Sequence, residues 1–279
     1  MSTAVAGVSH RTRSRLLGAG GVLALIALWW ISAETVFSQV GVSPTGEGGS
    51  VPSPLDVVGA IVADGPMFYL NNLAVTAREA ALGYLWGNGI ALALAFLVIV
   101  LPFLEGTVTQ IAVISYCVPI VAIGPIVRIV IGTPSPGEPS GTAIFLAAML
   151  PFFTTVTGAL LGLRATDRTI LDVVSAYGGG RFTQLRKVRL IASLPAILNA
   201  LKIAAPAAFL GAIIGEYLGG VDAGIGPALV NAQQNLNAPR AWALALVIGL
   251  ASGLAYFVTS LIARFVTPWS AGRVAGGVS

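Results

Sequence analysis

The chain has 279 residues, of which 56% are hydrophobic and only 9% charged, and its mean hydropathy is +0.89. Soluble domains carry about 25% charged residues, so this composition excludes an ordinary soluble protein and indicates a chain that lies largely in lipid. The single cysteine, Cys117, excludes an intrachain disulfide and a cysteine-based zinc site, and we expect it to be a small buried apolar residue. The lone His10 has no second histidine with which to build a triad or a metal site.

Uncharged stretches long enough to cross a bilayer, which takes about 20 apolar residues in a helix, recur along the chain. The first covers residues 16–33; it is longer than the apolar core of a signal peptide, so we interpret it as a retained span. The sequence predicts six transmembrane helices, with both termini on one side. The other five spans are predicted between residues 79 and 105, from 105 to about 132, between 138 and 164, from about 195 to 219, and between 240 and 264.

The positions of the basic residues predict the orientation, because loops on the cytoplasmic side of a membrane are enriched in lysine and arginine. With the N-terminus inside, every basic residue except Arg78, Arg128 and Arg240 lies in or beside a cytoplasmic segment. The opposite orientation would require translocation of nearly all of them. The predicted segments are a cytoplasmic tail (1–15), a membrane domain (16–268) with a cytoplasmic loop at about 164–194, and a second cytoplasmic tail (269–279).

The large cytoplasmic loop contains DVVSAYGGGRFTQLRKVRLIASLP at residues 172–195, where basic residues surround a glycine triplet. Thr169 followed by Asp172 resembles a capping box and predicts a helix that starts there. Apolar residues at helical spacing support this helix. They are Ile170, Val173, Val174 and Tyr177.

The glycine triplet that begins at Gly178 is predicted to end this helix, since glycine adopts the left-handed conformation at little cost. A second short helix is predicted from about 181 to 191, and Pro195 marks the approach to the fifth span. A basic, amphipathic pair of helices fits two roles. It could lie on anionic headgroups or serve as a docking element for a cytoplasmic protein.

The same loop resembles the EAA motif of permease subunits of bacterial ABC importers: an acid and two small residues (Asp172, Val173, Val174), then Gly178, then an L-P pair at 194–195. Aspartate stands for the usual glutamate, valines stand for both alanines, and Leu-Ile at 190–191 replaces a first L-P. Two further stretches are similar to permeases of the nitrate/sulfonate/taurine importer group, and the resemblance covers roughly residues 15–268. These stretches are PIVAIGPIVRIVIG (119–132) and IIGEYLGGVDAGIGPALVNAQ (213–233).

The resemblance implies an all-α integral membrane protein with the type I ABC importer permease fold, in a bacterial inner membrane. It also implies a second permease subunit, identical or related, two ATPase subunits, and an extracytoplasmic substrate-binding protein. ATP and Mg are expected on the ATPase, since no G-x-x-x-x-G-K-[ST] sequence occurs here; this chain is not expected to be an enzyme or to bind a cofactor, metal or nucleic acid. The residues implied in coupling to the ATPase are Asp172, Val173, Val174, Tyr177, Gly178 and Arg181. Asp172 could instead act mainly as a helix cap.

Ionisable residues within a span are costly and often mark a transport pathway. Arg128 could line that pathway, where a guanidinium would favour an anionic substrate, or could reach the headgroups by snorkelling. Glu216 could pair with Arg128, line a gate or cap the end of its span. Pro119 and Tyr116 complete the predicted substrate-pathway residues.

Asn88 is predicted to hydrogen-bond between helices, and Gly83, Gly87 and Gly89 to allow close helix contact. The alternative function is a stand-alone secondary carrier or channel. A carrier usually shows two related halves, and no internal repeat is visible here.

Overall fold

The computed structural model describes residues 10–38, 40–41, 49–135 and 137–270, and over these ranges the protein is helical, with no β-strand. Of the predicted tails (1–15 and 269–279), residues 1–9 and 271–279 lie outside the described residues. The α-helices are, in chain order, α1 (His10–Glu34), α2 (Pro54–Asp64), α3 (Pro66–Val100), α4 (Glu105–Cys117), α5 (Ile120–Ile131), α6 (Gly141–Arg164), α7 (Arg168–Ala176), α8 (Arg181–Gln184), α9 (Leu190–Gly219), α10 (Ile225–Gln234) and α11 (Ala238–Val266).

The described residues form two compact units. The first combines the chain up to Pro66 with Asn231–Ala245, and the second combines Met67–Val230 with the chain from Leu246 onward. Each unit has its own set of stabilising contacts.

The first unit is held together by contacts between residues that lie far apart in the sequence. The rings of Trp29 and Trp242 stack with centroids 5.4 Å apart, and Arg240 donates to the carboxylate of Asp64 through Nε at 2.8 Å. Helix α2, predicted as a short amphipathic segment, begins with a capping box in which Ser53 and Asp56 bond each other's backbone. This reciprocal capping satisfies two N–H groups that the first helical turn leaves without partners.

The second unit is built around the contact between α6 and α9, where small residues let the two backbones approach. A methyl group at Gly211 would lie 2.6 Å from the Cα of Ala147, and one at Gly215 would lie 2.9 Å from the backbone nitrogen of Ala143. In lipid, where apolar side chains gain little by leaving their surroundings, such close packing and interhelical hydrogen bonds drive helix association.

Helix α3 packs against α6 in the same way, as the sequence predicts. A methyl group at Gly87 would lie 2.7 Å from the Cα of Ala148, and Gly83 is similarly close to α6. The predicted interhelical role of Asn88 is confirmed: Thr155 Oγ1 donates to Asn88 Oδ1 at 2.5 Å, with both residues buried. The prediction for Gly89 is wrong, because no atom lies within 4 Å of the position of its Cβ.

Among the described residues, five helices are long and apolar enough to cross a membrane, or six spans if one bent pair of helices counts as one. The bent pair corrects the predicted third span. That span is not a single helix but α4 and α5, which meet at 98°. The break falls at Pro119, which lacks the N–H needed to continue α4. Cys117, at the end of α4, is exposed and not buried as predicted.

Two further boundaries differ from the prediction. Helix α3 begins at Pro66, so Glu79 lies within the helix and not at the start of the second span. The predicted second short helix of the loop is not separate either. Helix α8, a π-helical turn at Leu185–Arg189, and α9 form one continuous helical rod, Arg181–Gly219, because each backbone N–H finds a carbonyl through the π turn.

The close contact between α3 and α6 predicts unequal effects for two neighbouring glycines. Gly87→Ala would force the two backbones apart, and we expect it to destabilise the chain by about 1–3 kcal/mol, as overpacking does. Gly89→Ala is the matched control, since it adds the same methyl group on an open face and favours the helix. Thermal unfolding of the purified chain in detergent measures both. A Gly87→Ala protein as stable as Gly89→Ala would contradict the packing described here.

Candidate functional site

Helix α7 starts differently from the sequence prediction. Its N-cap is Asp167, whose Oδ1 accepts from the backbone N–H of Thr169 at 2.9 Å. The predicted capping box of Thr169 with Asp172 is therefore wrong: both residues already lie inside the helix, and Asp172 is exposed without a capping contact. Asp167 is the stronger cap because an aspartate next to free N–H groups also interacts favourably with the helix dipole.

The faces of α7 are sharply divided. Leu171, at 8% exposure, anchors the helix to the unit, while Tyr177 is 90% exposed. Ile170 and Val173 are about half exposed on the same side as Tyr177, and Val174 is only partly exposed. We call Ile170, Val173 and Tyr177 the apolar face of α7. Three large apolar side chains exposed on a nine-residue helix and its C-cap, Tyr177, indicate a surface that binds a partner.

The glycine turn ends α7 as predicted, and its geometry explains the order of the glycines. Gly178 has φ +78°, the left-handed region that other residues adopt at a cost. The N–H of Gly178 donates to Ser175 O and that of Gly179 to Val174 O, both at 2.9 Å. This is the Schellman motif, which satisfies the last carbonyl groups of the helix.

The turn fixes α7 to the rod that begins at Arg181. Gln184, in the first turn of the rod, donates from Nε2 to Ser175 Oγ at 2.8 Å and to Leu171 O at 3.3 Å. Further along, Arg189 Nη1 donates to Leu163 O at 3.4 Å. Helix α7 is therefore joined to α9 through hydrogen bonds and a continuous helix.

Arg128 lies at the opposite end of α9, against the glycine that terminates that helix. Gly220 has φ +61°, and a methyl group there would lie 2.5 Å from Cζ of Arg128. The guanidinium is exposed and faces the carboxyl-terminal end of α9, where the helix dipole favours a positive charge. Only glycine satisfies both the backbone angle and the close approach.

Glu216 is buried, with 1% exposure, and does not pair with Arg128; that predicted alternative is wrong. Its Oε2 accepts from the N–H of Gly226 at 2.6 Å, so its capping contact is with α10 and not with its own helix. Sequence reasoning missed a second buried acid, Glu79, whose Oε1 accepts from the N–H of Ser140 at 2.5 Å. Its charge gives no signal of burial in the sequence, because a charged residue at the edge of an apolar stretch predicts the end of a span.

The other two predicted pathway residues lie near the bend between α4 and α5. Tyr116 is 66% exposed and stacks on Phe153, with ring centroids 4.9 Å apart. Pro119 is the N-cap of α5. The predicted coupling residues thus gather on α7 and its turn, whereas the predicted pathway residues divide between this bend and the far end of α9.

Comparison with known proteins identifies the family to which the chain belongs. Residues 87–271 match the family described as "binding-protein-dependent transport system inner membrane component". The chain is 29% identical over 70% of its length to a probable ABC transporter permease protein of Haemophilus influenzae, of which it covers 77%. It is 22% identical over 88% of its length to the formylaminopyrimidine transport permease protein ThiX of Halalkalibacterium halodurans, covering 93% of it.

Two further comparisons concern the group of importers and the fold. The chain is 24% identical to the putative aliphatic sulfonates transport permease protein SsuC of Bacillus subtilis, over 78% of each chain. Among solved structures, an inward-facing MetNI methionine ABC transporter matches with a TM-score of 0.55 and 20% identity, over 72% of this chain and 95% of that one.

The family match over two thirds of the chain shows that this apolar helical bundle is a membrane permease. The chain belongs to the binding-protein-dependent transport system inner membrane component family, the permease subunits of ABC importers. It has the type I importer fold and is a multi-pass inner-membrane protein. It is not an enzyme, because ATP hydrolysis in these importers belongs to a separate subunit.

The Schellman turn predicts that Gly178→Ala loosens α7. No side chain would clash with the added methyl group, so the effect comes from the positive φ alone, about 1–2 kcal/mol. Gly180→Ala is the control, since Gly180 has φ −77° and equally open space. Hydrogen exchange over residues 168–177 should be faster in the Gly178 variant only. Equal protection in both variants would show that the turn does not hold α7.

Proposed function

We propose that this chain pairs with a second permease subunit to form the pathway for a small anionic solute that a substrate-binding protein delivers. In this proposal α7 docks on a separate ATPase, which carries ATP and Mg. The observation that carries the proposal is the apolar face of α7, which is exposed and yet rigidly joined to the rod that continues into α9.

The docking role follows from the energetics of that face. Tyr177, Val173 and Ile170 expose apolar area at a position fixed by the Schellman turn and by Gln184. A mobile, basic segment lying on headgroups would not require this fixed geometry, so the rigid attachment favours a protein partner over a lipid surface. Burial of the face stabilises the complex by about 25 cal/mol per Å².

The proposed orientation places α7 and both termini in the cytoplasm. The support is the concentration of basic residues around α7 and the start of the rod. Cytoplasmic loops of membrane proteins carry this excess of positive charge. An ATPase that uses cytoplasmic ATP requires the same orientation.

The proposed anionic cargo rests on Arg128. An exposed guanidinium at the end of a span offers a carboxylate, sulfonate or phosphate two parallel hydrogen bonds. One relative is named for aliphatic sulfonates, which are anions; another is named for formylaminopyrimidine.

Docking predicts that Val173→Asp releases the ATPase. A carboxylate buried without a partner at an apolar contact costs several kcal/mol, so the amount of ATPase retained on purification should fall about tenfold or more. Val173→Ala is the control, because it keeps the face apolar, and it should retain the partner. The measurement is co-purification of the full importer in detergent, quantified against the permease.

Two results would contradict the proposal. One is retention of the ATPase by Val173→Asp. The other is labelling of a Tyr177→Cys variant, in a Cys117→Ser background, by an impermeant reagent added outside intact cells. Solute movement by the purified chain alone, without ATP, would favour the stand-alone carrier or channel.

The anion proposal predicts that Arg128→Leu lowers uptake about 10- to 100-fold, the loss of one charge-assisted contact, with the importer still assembled. Uptake by Arg128→Lys should lie between that of the wild type and that of Arg128→Leu, because lysine keeps the positive charge but lacks the planar guanidinium group. Uptake is measured in vesicles with the anion that the wild-type importer accumulates best from a panel of sulfonates, carboxylates and phosphate esters. Preference for a neutral pyrimidine over every anion in the panel would contradict the proposed anionic cargo.

A further inference from the structure

Two glutamates on different helices meet in the interior of the second unit. Glu79 lies on α3 and Glu216 on α9, and each residue is only 1% exposed. Ser140, whose backbone N–H binds Glu79, also lies against Gly219, one turn from Glu216 on α9, so the two carboxyl groups are brought side by side. Two acids at this burial in a chain of so little charge require an explanation.

Each of the two carboxyl groups receives a hydrogen bond on only one of its two oxygens. Glu79 Oε1 accepts from the N–H of Ser140, and Glu216 Oε2 accepts from the N–H of Gly226. The remaining oxygens, Glu79 Oε2 and Glu216 Oε1, are buried and receive no donor, since the hydroxyl group of the neighbouring Thr76 donates to Asn72 O at 3.2 Å. An ionised carboxylate can only accept, so two of them in contact would place unsatisfied negative oxygens against each other. One proton between them removes the conflict.

No cation in the described residues replaces that proton. The ion pairs described there are Arg164 with Glu105 and Arg240 with Asp64, and neither includes Glu79 or Glu216. The described residues also contain no cluster of three or more acidic, histidine or cysteine side chains able to hold a metal ion.

The charged groups around the pair are all exposed. Arg78 precedes Glu79 on α3 and attracts it, and Arg128 of α5 lies against Gly220. Glu138 and Asp222 share with Arg78 and Glu79 the lining of a cavity of about 170 Å³. The first turns of α6 and α10 carry no charged residue. Solvent screens the exposed charges, so the two buried carboxyl groups mainly determine each other's state.

We propose that Glu79 and Glu216 share one proton, as a carboxylic acid paired with a carboxylate, and form a proton-binding site within the permease. Like charges at hydrogen-bonding distance cannot both ionise. The outer hydrogen bonds of the pair reach Ser140, the N-cap of α6, and Gly226, in the first turn of α10. The shared proton thereby links α3 to α9, and the same two carboxyl groups hold the N-terminal ends of α6 and α10.

The consequence is a dependence of stability on pH with a defined sign. The folded chain holds a proton that the unfolded chain, with ordinary glutamates, releases at neutral pH. Stability therefore falls as pH rises through the deprotonation of the pair and is kept at lower pH. The acid and the carboxylate titrate as one unit, so neither residue is assigned the proton.

The test is infrared spectroscopy of the full chain in lipid nanodiscs, which detects the C=O stretch of a protonated carboxyl group at neutral pH. The band should be present in the wild type and absent from Glu79→Gln and from Glu216→Gln. In each variant the amide N–H₂ replaces the shared proton as donor, so the fold is kept. Glu138→Gln, an exposed carboxylate on the rim of the same cavity, is the matched control and should keep the band.

Thermal unfolding from about pH 6 to about pH 9 gives a second reading. The melting temperature of the wild type and of Glu138→Gln should fall by several degrees, and that of each single glutamine variant at position 79 or 216 should stay level. A wild type without the band at neutral pH would overturn the proposal, and this result does not depend on any variant folding. A band that persists in both variants, or a melting temperature that rises with Na⁺ at constant ionic strength, would overturn it too.

Discussion

The backbone contact between α6 and α9 is the interaction on which the second unit depends. Lipid offers little hydrophobic reward for bringing helices together, so association relies on close packing and on hydrogen bonds that lipid cannot supply. Gly211 and Gly215 remove the side chains that would hold the helices apart, and Ala143 and Ala147 of α6 present the smallest opposing surface. Helix α3 joins the same contact through Gly83 and Gly87, with the Asn88–Thr155 hydrogen bond as its polar counterpart.

Because α9 packs closely along α6, it forms a rigid connection between the two ends of the unit. Its rod starts at Arg181, bonded through Gln184 to α7, and ends at Gly220, where Arg128 and the turn into α10 lie. In the proposed function, this continuous helix connects the apolar face of α7 with the proposed solute-binding residue. The two glutamates lie near the far end of this route, at the junction with α3.

Much of this architecture could be predicted from sequence, because charge and apolar length decide which segments enter lipid. The span at 138–164 corresponds closely to α6, the turn at Gly178 ends α7, and Asn88 bridges two helices. The first two features depend on local chemistry, and a polar amide within an apolar span indicates an interhelical bond even before its partner is known. The family resemblance carried by the loop is confirmed by the comparisons.

The failures share a physical cause, which is that a residue's role depends on which of several possible partners binds it, and a local pattern does not rank those partners. Glu79 looked like the edge of a span, but an N–H of Ser140 lets it enter the helix. Thr169 and Asp172 fit a capping box, yet Asp167 accepts the backbone N–H of Thr169 that the Asp172 carboxylate would accept in that box. The bend at Pro119 could be suspected from proline alone, but its 98° angle depends on how α5 packs against α6 and α9.

The pairing of Trp29 with Trp242, and of Asp64 with Arg240, has a consequence for biosynthesis. Helices α1 and α2 are synthesised well before α11, which carries their partners. During synthesis α1 and α2 lack these contacts while the intervening spans insert. Assembly of the first unit is therefore a late event, and a chain that stops before residue 245 would leave its leading helix without its native neighbours.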